Sequence, residues 1–246
     1  MFNVETNSTT GGELEGLAVD LFEGDLDELS SAINEFFYSV SSHLDPLEPW
    51  ASDDILDIPS RYIITEDKVA DKLMKTKITK APGPDGVPNW ILHDLAGLIS
   101  KPVCAIFNSS IREGFLPSLW KSANVVPIPK VHPPRSIESD LRPISLTPVL
   151  AKQLESFIGE WLLEEIGDKL DLEQFGATKG LSTTDALIDI THHWHVAIHD
   201  RDDVRVLLLD YSKAFDLVDH NILIEKFASL GIHPVLLRWL HAFLSH

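Results

Sequence analysis

The sequence predicts an α+β fold, rich in helices, with one β-hairpin and one further buried strand, preceded by an acidic segment that is helical or disordered. Three observations carry this reading. Apolar residues recur at helical spacing over Leu26 to Val40, Val69 to Met74 and Val149 to Ile166. Two short β-type runs, 124–129 and 141–146, flank a Pro-rich turn at 132–135. A third run, 204–209, is short and aliphatic and delivers one carboxylate, Asp210, at its end. A buried carboxylate without compensation is costly, so Asp210 needs a cation or hydrogen-bond donors.

The elements follow in chain order. Residues 1–24 are rich in Gly, Thr, Glu and Asp with little periodicity and read as a mobile tail. Leu26, Leu29, Ile33, Phe36, Phe37 and Val40 then fall on one helical face, with Asp25 or Asp27 as its cap. A second helix is expected over 66–77, where Val69, Leu73 and Met74 share a side and Lys68, Lys72 and Lys75 line another. Such a lysine row is ordinarily a solvated face. With Lys77 and Lys80 it is also the one basic cluster, and phosphate contact is the lesser reading.

Two Gly and three Pro within 82–88 enforce a rigid irregular loop, and Pro88 opens a helix carrying Trp90, Ile91, Leu92 and Leu95. A helix from Pro102 to Glu113 stops at Gly114. Pro127, Pro129 and Pro143 cannot donate to a ladder, so the two hairpin strands must be edge-like or irregular. Thr147-Pro148 starts a long helix to about Gly167, another spans 183–199, and Asp219 caps a final helix pair parted by 231–234. No internal repeat is visible.

Composition sets bounds. A chain of 246 residues, 44% hydrophobic, can bury a sizeable core. Cys104 is the single cysteine, which excludes an intrachain disulfide and a Cys-rich zinc site. The N-terminus lacks a basic start and an apolar core, and no run is long enough to span a bilayer, so a soluble intracellular protein is expected, cytoplasmic or nuclear. The net charge is −18, unevenly spread. Residues 1–60 hold 14 acids and no Lys or Arg; residues 61–246 hold all 20 basic residues against 24 acids, a net of −4. That balance is no basic footprint, and bulk charge gives nucleic-acid binding no support. The expected division is an acidic tail and helix over 1–60 and a single domain over 61–246.

The wording Leu208-Leu209-Asp210-Tyr211-Ser212-Lys213-Ala214-Phe215-Asp216-Leu217-Val218-Asp219-His220 resembles the first catalytic motif of reverse transcriptases of LINE-type (non-LTR) retrotransposons. Lys80-Ala81-Pro82-Gly83-Pro84-Asp85-Gly86, Phe115-Leu116-Pro117 with Trp120, and Gln174-Phe175-Gly176 through Ser182-Thr183 are similar to further segments of that family. Ala177-Thr178 departs from the aromatic-plus-Arg pair common there. The resemblance covers residue 60 to the end.

It implies that the helix within 1–60 is a connector and that 61–246 is a partial reverse transcriptase domain. That domain would be a partial right-hand polymerase, with 124–146 as the fingers hairpin and 204–210 as one central palm strand. Asp210 would bind both magnesium ions, and the Tyr211 carbonyl would join the second. Ser212, Lys213 and Ala214 would turn amides toward a triphosphate, and Phe215 would exclude a 2′-hydroxyl. Arg142 and Lys130 are the phosphate candidates, Arg142 the stronger; Lys130 reads about equally well as an ordinary exposed lysine. Asp216 and Asp219 serve a turn and a cap. RNA template, DNA primer and dNTPs are the implied partners.

The family's Tyr-or-Phe-Ala-Asp-Asp hairpin, which supplies the remaining metal ligands, is not within these 246 residues. The chain is therefore expected to be truncated before it, leaving the Asp210 strand with an unpaired edge. The alternative reading is a catalytically incomplete remnant or partial gene model that at most binds nucleic acid or protein. His192, His195 and His199 share a helix face, and a metal site there is the minor reading.

Overall fold

The computed structural model describes residues 3–4, 11–50 and 56–245. Its larger core is helical. Helices α3 (Glu66–Met74), α4 (Asn89–Asp94), α5 (Ala96–Glu113), α7 (Val149–Ile166) and α10 (Pro234–Leu244) converge there. They enclose Tyr62, Leu73, Phe107, Leu154, Ile158 and Trp239. Burying each such side chain is worth about 1.5–3 kcal/mol, and this cluster is what holds the body together.

Local chemistry explains the boundaries. The Thr65 hydroxyl accepts from the Lys68 amide at the start of α3. Helix α5 begins at Ala96, six residues before Pro102, and so carries that proline inside it. It ends on Gly114, in the left-handed region at φ 59, where a side chain would also strike Arg238. Polar ties cross the body: the Tyr62 hydroxyl and an Arg61 N–H donate to Glu165 Oε1, and the His233 amide donates to its Oε2 at 2.8 Å. Burial pushes the Cys104 thiol above its ordinary value, the mark of an inert packing group.

Strands β2 (Asn124–Pro129) and β3 (Leu141–Leu146) pair antiparallel as the sequence predicts, with Val126 opposite Ile144 and Pro127 opposite Pro143. The Lys130 amide donates to the Asp140 carbonyl at 2.6 Å. Residues 130 and 140 thus form a hydrogen-bonded pair, and alternation puts Pro127, Pro129 and Pro143 in non-bonded pairs. The prolines therefore cost the ladder nothing. A short helix, α6 (Ile137–Asp140), leads into β3.

The leading segment departs from its expected form. Gly11–Phe22 is helix α1, not a tail, and packs with α2 (Leu26–Ser39) around Leu14, Leu17, Ala18, Leu29 and Ile33. Leu141 of β3 joins this smaller core, and β1 (Asn3–Val4) pairs parallel with the start of β2. The stripe Leu14, Leu17, Ala18 was present in the sequence at i, i+3, i+4, masked by interspersed glycines and acids.

Residues 46–50 form a strap over α9 (His220–Ser229) and α10. Asn221 donates to the Pro46 carbonyl at 3.1 Å and accepts from the Glu48 amide at 2.9 Å. His241 donates to the Glu48 carbonyl at 2.6 Å, and Trp50 packs edge-on against the His241 ring.

One expectation fails. The central strand at 204–210 is not a strand: residues 202–211 are irregular and exposed throughout, with Leu208 86% exposed. A strand requires a neighbour, and among the described residues none pairs with this segment. Helix α8 (Thr183–His199), which precedes it, likewise buries no residue.

Candidate functional site

The motif residues sit on an open turn. Asp210 is exposed, and Tyr211 and Phe215 are 80% and 94% exposed. Ser212 to Leu217 form consecutive turns, closed by the Asp216 and Leu217 amides donating to the Lys213 carbonyl at 3.0 and 3.2 Å. Lys213 takes a positive φ of 52, and its ammonium lies 4.5 Å from the centre of the Phe36 ring on α2. Ser212 and Ala214 are exposed beside it. Asp219 caps α9, accepting from the Asn221 and Ile222 amides at 2.8 and 3.1 Å, as the sequence suggests.

The two phosphate candidates occupy the hairpin. Arg142 projects from the exposed stretch of β3, opposite Ile128. Lys130 is exposed at the strand end, but its ammonium donates to the Ser139 carbonyl at 2.9 Å. That carbonyl belongs to the last turn of α6, where a cation is favoured. Asp140 braces the same tip: its carboxylate accepts from the Arg135 and Ser136 amides and from the Ser139 hydroxyl at 2.7 Å. The Ser139 hydroxyl, then the Arg135 amide, hold its carboxyl below the ordinary range. Lys130 is thus tied to hairpin structure, whereas Arg142 faces solvent.

The lysine row is also partly spent. Lys72 lies over the Phe157 ring at 4.3 Å and donates to Ser156 and Glu160 at 2.5 and 2.8 Å, which leaves Lys68, Lys75, Lys77 and Lys80 exposed. Sequence reasoning saw the row but not this bond, because Glu160 is 88 residues away.

A polymerase metal pair needs several oxygens around each ion, and one carboxylate holds such an ion poorly. Among the described residues no group of three His, Cys, Asp or Glu is arranged to hold a metal. The donors around Asp210 therefore do not fit a two-metal centre on their own. The α8 histidines are exposed, and His193 lies 3.6 Å from the Asp189 carboxylate and against the His192 ring. No helix among the described residues is long and apolar enough to cross a membrane.

Residues 128–246 match the reverse transcriptase (RNA-dependent DNA polymerase) family, and this part of the chain belongs to that family. It is 30% identical over 181 residues to the probable RNA-directed DNA polymerase from transposon BS of Drosophila melanogaster, which covers 73% of this chain and 20% of that relative. It is 31% identical over 183 residues to the RNA-directed DNA polymerase from mobile element jockey of Drosophila funebris, again 73% and 20%. The Pol polyprotein from type-1 retrotransposable element R1 of Bradysia coprophila matches at 27% over 206 residues, 83% of this chain and 20% of that one. The chain spans about a fifth of the length of these curated relatives, which are non-LTR retrotransposon polymerases.

Proposed function

We propose that residues 61–246 form the fingers and early palm of an RNA-directed DNA polymerase, with residues 1–60 as an acidic leading segment whose helices α1 and α2 pack against Leu141 of the hairpin. The observation that carries the reading is the ordered run 208–220 inside the family match. In this reading Arg142 binds the triphosphate, because a planar guanidinium suits phosphate oxygens and its strand leaves it exposed. The Ser212 to Ala214 turn offers backbone amides to the same anion, and Phe215 abuts the sugar. Lys130 takes the lesser role of fixing the hairpin tip. Asp210 contributes one carboxylate toward magnesium, with the Tyr211 carbonyl beside it, and the donors among the described residues do not complete a metal shell. RNA template, DNA primer and dNTPs are the corresponding partners.

A second reading has its own support. The lone carboxylate and the unpaired 202–211 segment favour a chain that binds nucleic acid or protein without turnover. Primer extension on an RNA template in magnesium buffer separates the two. Extension lost in Asp210→Ala supports the first, by a factor expected to exceed about 10³. A folded protein that retains template but does not extend it supports the second.

A further inference from the structure

We propose that Gly83 is a positioning residue that sets the fingers strand β3, and with it Arg142. Loop 80–88 runs over the surface, yet Gly83 is buried. A Cβ at this position would lie 2.4 Å from the Pro148 nitrogen, 2.6 Å from the Thr147 carbonyl carbon and 2.7 Å from the Pro148 Cα. All three are main-chain atoms, so no rotamer change relieves the clash. Thr147-Pro148 is the junction where β3 ends and α7 begins.

The loop behind Gly83 is built to hold it there. The Gly86 amide donates to the Gly83 carbonyl at 3.0 Å, and the Val87 amide to Asp85 Oδ1 at 3.4 Å. Asn89, 4% exposed, donates to the Lys77 and Lys80 carbonyls, both at 3.0 Å, pinning the approach to the loop. Gln153 of α7 reaches Thr76 at 3.5 Å just upstream. The loop is thus a braced wedge whose tip admits only a hydrogen atom. Displacing the tip displaces the junction, and the shift passes into β3, which is paired along its whole length with β2. Gly86 is the built-in contrast: its φ is +64 but nothing lies within 4 Å of its would-be Cβ, so Ala there strains the loop without touching the junction.

The geometric half of this inference is independent of chemistry; its consequence for nucleotide rests on Arg142 as the phosphate ligand. The test uses the full chain as wild type, Gly83→Ala, Gly86→Ala and Arg142→Ala. Amide hydrogen exchange and the affinity for dATP in magnesium buffer are read for each. Gly83→Ala is expected to speed exchange over 141–150 by about tenfold or more while α5 and α10 keep wild-type rates, whereas Gly86→Ala leaves 141–150 unchanged. Affinity for dATP should fall by about tenfold in both Gly83→Ala and Arg142→Ala and hold in Gly86→Ala. Unchanged exchange over 141–150 in Gly83→Ala overturns the proposal. Raised exchange together with dATP binding that ignores Arg142→Ala keeps the wedge and overturns the role of Arg142. If Gly83→Ala loses its melting transition, Asn89→Ala decides instead: it frees the loop without adding an atom, and must raise exchange over 141–150 for the proposal to stand.

Discussion

The hairpin of residues 124–146 and the segment of residues 204–215 look alike in sequence and end up opposite in structure. Both are short β-type runs, and the hairpin is the poorer one, with three prolines in its two strands. Yet β2 and β3 form a full ladder, while Leu207, Leu208 and Leu209 stand 81%, 86% and 77% exposed. The difference is the partner. Eleven residues separate β2 from β3, so their pairing closes a short loop at small entropic cost. The 204–210 run has no strand to meet among the described residues, and its leucines forfeit about 1.5–3 kcal/mol each of burial. Strand formation here follows from who is adjacent, not from composition.

Hydrogen exchange should show the largest contrast. Amides in the bonded pairs of β2 and β3 are expected to exchange at least about 10³-fold more slowly than those of 204–211, which should exchange near the free-chain rate. Equal protection in both would break the comparison. A truncation pair sharpens it at the level of stability. Leu154→Ala, fully buried in α7, should cost about 2–5 kcal/mol in denaturant unfolding, and Leu208→Ala no more than about 0.5 kcal/mol. The smallest effect concerns charge in the packed half. Burial raises the Glu155 carboxyl above its ordinary value, with Lys152 opposing, so the folded state holds its proton more tightly than the unfolded chain. Its contribution is present at acid pH and lost as pH rises through the folded value. Glu155→Gln should therefore raise Tm modestly at pH 7 and leave it nearly unchanged near pH 3.

The hairpin strands, the Gly114 stop, the Asp219 cap and helix α8 were all legible in the sequence because each is specified within a few residues. Helix α1 was not, because three glycines and several acids diluted a stripe of three apolar positions. The exposure of Asp210 and the capture of Lys130 by Ser139 were likewise invisible. A motif names residues, while burial and partners depend on chain far from them. Glu165 shows the same limit: it collects Arg61, Tyr62 and the His233 amide from segments 104, 103 and 68 residues away, a convergence that no local pattern announces.

The strap at 46–50 has a consequence in time. His241 grips the Glu48 carbonyl across 193 residues. A ribosome adding about 5–20 residues per second needs roughly 10–40 s to cover that distance. For that interval the connector has been made and its seat has not, so Trp50 waits exposed on the nascent chain until α10 emerges to receive it.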